Sequence, residues 1–381
     1  CGLCYATQTI ASCKALETIY GIEPSIQTIF LRKLLMIGEL IKSHCLHFFF
    51  QTLPDLFVIF KDIKNPLSPN ELIHFDPKLT SSIFELLKIG QEISRIFGGR
   101  AIHPITPTVG GHFYIPSKKD LGISRKYFQT ALNNLEWTIE RFEQLFSQKT
   151  TPEEYDLPNP VFIGLHKDKK YTRYEGNIRL KQDRSILLDV PIKQYLQYLD
   201  GDVSTSKVYI NLKEDQKLLT GPIARNNIIE TYGVEIIESY IESFRTWRNS
   251  ILFWSFLQLM EILNAAYEGL SIIENSELTE PIKIPSLNSI ENSEGLGIVE
   301  APRGILIHHY CVNEKNLLQK VRLYIPTGIN TPIINEMLTT QSQKLYEKTG
   351  DINLVKIQAQ KILRCFDPCI SCATNHFQVT D

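Results

Sequence analysis

Apolar residues recur at threes and fours over most of this chain, the spacing that turns one face of a helix toward a core. Ile10, Ala11, Ala15, Leu16 and Ile19 follow it up to Gly21, which predicts a helix starting just after Cys4. Phe30, Leu34, Ile37, Ile41 and Cys45 predict a second, longer helix over 25–51, stopped by Pro54. Further helices are predicted over 79–97, 118–146, 235–269, 332–347 and 352–364. The 235–269 segment has apolar residues on more than one side and reads as deeply buried.

The period changes in two places. VFIGL, TRYEGNIRL and KVYINL, bounded by Asp, Gly, Pro and Ser, predict a small β-rich excursion over 158–215. GILIHHYCV and LLQKVRLYI flank NEKN and predict a hairpin with a longer turn. The polar stretch 274–297 is the best candidate for an exposed loop, and no internal repeat is present. The expected fold is therefore mainly α with small β appendages (α+β), one large helical body over 1–381.

Composition narrows the function classes. Hydrophobic residues at 43% and charged residues at 22% are ordinary for a globular chain. Lys plus Arg (40) nearly balances Asp plus Glu (42), which argues against a nucleic-acid binder, since a phosphate backbone demands a basic excess. The start lacks the basic and apolar regions of an export signal. The most apolar stretch, 46–60, is broken by Gln51, Pro54 and Asp55 and falls short of the ~20 residues of a membrane helix. A cytoplasmic protein without a transmembrane segment is expected, and a first residue that is Cys1 rather than Met suggests a missing N-terminal portion.

Eight cysteines in a chain of this length do not make a disulfide framework. Cys13, Cys45, Cys311 and Cys365 stand singly among apolar neighbours and read as small buried hydrophobes. Cys1/Cys4 and Cys369/Cys372 form two CxxC pairs at opposite ends of the chain. Such thiols are metal ligands or redox groups, and their separation is unlike a zinc ribbon, whose pairs stand roughly 15–20 residues apart. In EAPRG, Pro302 fixes the backbone and Gly304 loosens it, so Arg303 sits in a turn entering a strand, where a side chain can be aimed into a site. Across the expected hairpin, PTG places Pro326 and Thr327 near Arg303. FGGRAIHPITPTVGGHF holds His103 and His112 in an unusually constrained loop.

CGLC followed by a helix, GGRxxHPxxPxxGG, EAPRG, PTG and the terminal DPCxxC, in that order, resemble the large subunit of a nickel-iron hydrogenase. The similarity spans nearly the whole chain and is strongest to the cytoplasmic branches linked to deazaflavin, nicotinamide or heterodisulfide reduction. It implies a Ni-Fe centre whose iron carries one carbonyl and two cyanides. Cys1 and Cys369 would be terminal nickel ligands, and Cys4 and Cys372 bridges to iron. Four thiolates and two cyanides against two divalent metals leave a buried charge of about −2, for which a guanidinium is the natural partner. The resemblance thus makes Arg303 a catalytic residue oriented by Asp367, with Cys369 or Arg303 as the base in reversible heterolytic cleavage of H2. Thr327, Pro302 and Pro326 would shape the pocket of the diatomic ligands.

The resemblance also implies partners. With no further CxxC pair for a relay, an iron-sulfur small subunit is required, and His103 would face it. Maturation proteins, an endoprotease and a larger complex are implied in the same way. The chain departs from the family pattern at Gln8, where a histidine is usual, and at Asn375, where His376 follows one place late. Gln8 can still donate to a bridging sulfur, and His376 would help hold a magnesium or other divalent ion. Two competing readings are a non-catalytic protein with a structural Cys4 zinc site and a decayed hydrogenase homologue.

Overall fold

The computed structural model describes residues 2–61, 67–198, 216–274, 276–286 and 292–369. In chain order, α1 (Tyr5–Tyr20) and α2 (Ile26–His47) lead into a π-helical turn, Phe48–Thr52, that continues unbroken as α3 (Leu53–Lys61). There follow α4 (Pro69–Phe75), α5 (Pro77–Gly98), a minimal ladder of β1 (Pro107–Thr108) with β2 (Gly111–His112), and α6 (Lys118–Phe146). A sheet then holds β3 (Val161–Lys167), β4 (Lys170–Tyr171), β5 (Asn177–Gln182), β6 (Ser185–Pro191) and β7 (Leu218–Leu219), with β7 parallel to β3 and the other pairs antiparallel. After α7 (Pro222–Ile228), α8 (Glu235–Ser243) and α9 (Phe253–Ile273) comes a second sheet. It is made of β8 (Glu294–Ala301), β9 (Gly304–Val312) and β10 (Leu318–Tyr324), in the order β10-β9-β8. The chain then forms α10 (Pro326–Thr349) and α11 (Ile352–Cys365).

α2, α5, α6 and α9 form the helical body, and α9 is buried on every side from Phe253 to Ala266. α1 lies on the β8–β9 sheet at a distance that only glycine permits. A Cβ on Gly297 would stand 1.8 Å from the Ala11 carbonyl oxygen, and one on Gly295 2.1 Å from that of Ala15. Because β8 is an edge strand, its outward carbonyls need donors. α1 supplies them: Thr18 Oγ1 donates to Leu296 O at 3.1 Å and Lys14 Nζ to Ile298 O at 2.7 Å. Helix and hairpin are thereby fixed to each other, and with them Cys4 and Arg303.

Lys14 yields a solution test. Its amine is buried, and that burial lowers its pKa to about 7. Tyr174 O is its second acceptor, so the two protons of a neutral amine are both used. From about pH 7 to 10 the unfolded chain holds a proton there that the folded chain lacks, so this residue makes stability rise with pH. Urea midpoints across that range should rise less steeply in Lys14→Met, and an unchanged slope would count against a neutral Lys14.

Several elements differ from the sequence pattern. Pro54 does not stop the second helix, because the wider π turn, in which Leu53 N bonds Phe48 O, makes room for the proline ring. The 235–269 pattern is two helices. Leu157 N to Asn249 O and Ile251 N to Tyr155 O, both 2.8 Å, tie the intervening backbone to another segment and so interrupt the helix. α10 begins at Pro326 and carries Pro332 within it. The 274–297 stretch is largely exposed over 280–286 and 292–294, but Glu294 opens β8 and from Gly295 the strand is covered by α1. β6 had no alternation to announce it, and KVYINL lies outside the described residues.

Candidate active site

α1 starts at Cys4, a poor cap with no side-chain bond to the helix. Glu39, reaching across from α2, does that work. Its carboxylate accepts from the N–H of Ala6, from Thr7 N at 3.2 Å and from Thr7 Oγ1 at 2.7 Å. An acidic group at a helix N-terminus opposes the macrodipole and satisfies orphan donors. Burial pushes the Glu39 carboxyl up to about 7, with these hydrogen bonds pulling the other way. Sequence reasoning missed Glu39, which no motif or spacing marks among the other polar residues of α2.

Arg303 and Pro302 are the two turn residues between β8 and β9, closed by the pairing of Ala301 with Gly304. Gly304 has φ 136, a conformation suited to glycine. The turn aims the guanidinium inward, where only 4% of Arg303 is exposed. Its Nε donates to Asp367 O at 2.8 Å and its Nη2 to Asp367 Oδ1 at 2.7 Å. Nη1 donates to Ser43 Oγ at 3.1 Å and lies 3.4 Å from Cys4 Sγ. Burial works against its charge, but Asp367, then Cys4 and Cys369, hold it above the ordinary guanidinium range.

Asp367 follows α11 at φ 50, left-handed backbone that costs a non-glycine residue about 1–3 kcal/mol. The fork from Arg303 holds it there. Two residues on, Cys369 is buried, and its N–H donates to Thr327 Oγ1 at 3.0 Å. Thr327 lies in the first turn of α10, next to buried Pro326. Arg303 and Thr327 thus grip the same short segment, one at Asp367 and the other at Cys369. Cys4 and Cys369 bias each other electrostatically across Arg303. Burial pushes the Cys4 thiol up to about 12, against the pull of Arg303. Two buried thiols around one cation suit a soft metal, whose charge would favour the thiolates.

Not every expected residue joins this group. Gln8 turns its amide oxygen to His308 Nε2 at 2.8 Å, and His308 Nδ1 lies 2.8 Å from the Tyr310 hydroxyl. His308 was not singled out in the sequence, although its place on β9, five residues after Arg303, puts it on the face that meets α1. His103 is exposed with φ 55, among exposed Ile102, Ile105 and Phe113. Cys13, Cys45 and Cys365 are buried. Cys311 is half-buried, 3.8 Å from His309 Nε2, which itself faces Glu294 at 2.9 Å. Arg322 Nη1 lies 3.4 Å from His309 Nδ1 and favours the proton on Nε2, which would block a metal at that nitrogen. Cys1, Cys372, Asn375 and His376 lie outside the described residues.

Behind the site runs a buried charged network. Arg225 donates to Glu261 through Nε at 2.6 Å and Nη2 at 2.7 Å, and to Glu300 through Nη1 at 2.8 Å. Its Nη2 also donates to Pro302 O at 2.9 Å, bracing the Arg303 turn. No sequence spacing announces this network, because its members come from separate elements.

Comparison with known proteins places this geometry. Residues 244–375 match the nickel-dependent hydrogenase family. One subunit of the vhu F420-non-reducing hydrogenase of Methanocaldococcus jannaschii is 28% identical over 366 residues, covering 91% of this chain and 86% of that protein. The NAD-reducing hydrogenase HoxS subunit beta of Cupriavidus necator is 23% identical, covering 98% of this chain and 83% of that protein. Among solved structures, the NAD+-reducing NiFe hydrogenase in the H2-reduced state superposes with a TM-score of 0.86 at 23% identity, over 98% of this chain and 86% of that one. A reduced, active Ni-Fe-Se hydrogenase from Desulfomicrobium baculatum gives 0.70 at 18% identity, over 98% and 88%.

Proposed function

We propose that this chain, which belongs to the nickel-dependent hydrogenase family, is the large subunit of a NiFe hydrogenase and cleaves H2 reversibly into protons and electrons. The observation that carries this reading is the convergence of Cys4 and Cys369, from opposite ends of the chain, on the buried Arg303. Cys1, Cys4, Cys369 and Cys372 would hold the nickel-iron centre. When bound, such a centre, its iron proposed to carry a carbonyl and two cyanides, would supply Lewis-acid polarisation for heterolytic cleavage of H2.

The protein's own groups do the rest. Arg303 offsets the anionic charge of the centre, and Asp367 fixes the plane of its guanidinium. The Thr327 hydroxyl accepts from Cys369 N, which leaves its proton to donate to a cyanide. Pro302 and Pro326 wall the pocket and bring no N–H of their own. Cys369 Sγ takes the proton; Arg303, expected as the alternative base, is held fully protonated and cannot accept it, and Gln8, oriented by its bond to His308, tunes the site.

Electrons must leave through another chain. An iron-sulfur small subunit docking on the exposed apolar loop around His103 answers that need. A larger assembly would add a deazaflavin-, nicotinamide- or heterodisulfide-reducing module; the name of the NAD-reducing relative fits the nicotinamide alternative, and that of the vhu relative, F420-non-reducing, speaks against the deazaflavin one. We place the protein in the cytoplasm as one domain, matured by dedicated proteins and an endoprotease, with His376 at a magnesium or similar ion. Among the described residues no helix is long and apolar enough to cross a membrane.

Metal analysis with infrared spectroscopy of the anaerobically matured protein is the direct test. One nickel and one iron with sharp carbonyl and cyanide bands are expected, and Cys369→Ser should lose the nickel. One tightly bound zinc without those bands would sink the proposal in favour of a structural Cys4 site.

A further inference from the structure

We propose that His47 is a buried imidazolium, a fixed positive charge that holds Asp367 and through it Arg303. The inference rests on a count of donors and acceptors around a residue only 1% exposed. His47 Nε2 lies 2.7 Å from the Arg364 carbonyl oxygen, which can only accept, so Nε2 carries a proton. His47 Nδ1 lies 2.7 Å from Gln258 Oε1. Whether Nδ1 also carries a proton depends on which way the Gln258 amide points.

Two neighbours fix that amide. Its nitrogen lies 3.4 Å from Asp367 Oδ2 and 3.2 Å from His44 Nδ1. Asp367 takes the Arg303 fork on its carbonyl oxygen and Oδ1, and its Oδ2 is the atom that faces the amide. His44 Nε2 faces Glu261 Oε2 at 2.8 Å, a carboxylate held ionised by Arg225, so Nε2 carries the His44 proton and Nδ1 is an acceptor. Burial also lowers the His44 pKa, with Glu261 opposing it. Both neighbours therefore demand the NH2 group. Turning the amide over would set its oxygen against a carboxylate oxygen and a bare imidazole nitrogen, a costly double mismatch. Gln258 Oε1 consequently points at His47, and His47 Nδ1 must donate to it.

The charged groups behind these contacts are already in ion pairs: Arg225 with Glu261 and Glu300, Arg303 with Asp367, and Arg364 with Asp55, with Glu39 near Arg303. Burial keeps the Cys365 thiol and the Tyr155 phenol neutral. His47 is a positioning residue, and its effect on turnover rests on the hydrogenase reading, while its charge does not.

The test is nitrogen NMR of the assembled protein labelled with 15N-histidine at pH 8.5, with the His47 signals assigned by their loss in His47→Gln. The expected result is a His47 ring with both nitrogens protonated, unchanged up to pH 9. A bare Nδ1 on His47 at pH 8.5 overturns the inference, whether or not the protein contains nickel. Should His47→Gln fail to fold, Gln258→Leu and Gln258→Glu decide. The first removes the acceptor and should return His47 to the neutral form, while the second offers acceptors to both histidines and should leave His47 charged. If His47 has the same protonation in both variants, the assignment fails.

Discussion

Arg303→Lys is expected to lower H2 uptake by about 100-fold or more, the scale of losing a preorganised charge-stabilising donor, while nickel and iron stay at one each. Lysine keeps the charge but not the fork. Arg303 uses Nε and Nη2 on Asp367 while Nη1 reaches Ser43 and the Cys4 sulfur, so one planar group spans both sides of the site. An ammonium has no two parallel N–H bonds for the carbonyl and carboxylate of Asp367, and it carries a tighter hydration shell into a buried place. If the centre carries the proposed cyanides and carbonyl, their infrared bands should shift, since the charge nearest Cys4 has moved. Near-normal uptake with unshifted bands would remove Arg303 from the mechanism.

Gly297→Ala is expected to cost about 3 kcal/mol of stability, the upper range for overpacking, and to lower nickel content with it. The added methyl would fall 1.8 Å from a backbone oxygen of α1, and no rotamer change can clear backbone. α1 must lift from the sheet. That movement would carry Cys4 away from Arg303 and strain the bonds from Lys14 and Thr18 to the β8 edge. Denaturant melts of the metal-free protein separate the two effects. A wild-type melt with low nickel would mean that α1 shifts without loosening, and wild-type values of both would refute the close approach.

Elements whose burial matches their own spacing were legible in the sequence: α1 with its Gly21 stop, α5, α6, α11 and the strands flanking NEKN. Boundaries set by tertiary contact were not. Pro54 reads as a stop only if the helix must stay α, and a π turn removes that condition. The 235–269 pattern stays apolar throughout, so nothing local marks the place where Tyr155 and Leu157 capture its backbone. In the site, Cys4, Arg303, Asp367, Thr327 and Cys369 were visible because motifs name them. Glu39, His44, His47 and Gln258 were not, since no spacing marks these polar residues among the others of their helices, and each acquires a role only when four elements meet.

The site draws its halves from distant parts of the chain, and this has a consequence for how the protein is made. Cys4 and Arg303 are 299 residues apart. At the ordinary pace of translation Arg303 leaves the ribosome about 15–60 s after Cys4, and Cys369 later still. Throughout that interval the first thiol meets the cell without the guanidinium that will shelter it. Metal delivered early would find half a binding site, and oxidants would find a cysteine on a short exposed helix. Assembly factors that occupy the Cys4 segment while the rest of the chain emerges would answer both hazards, and the Cys369 segment, made later, would then complete the site.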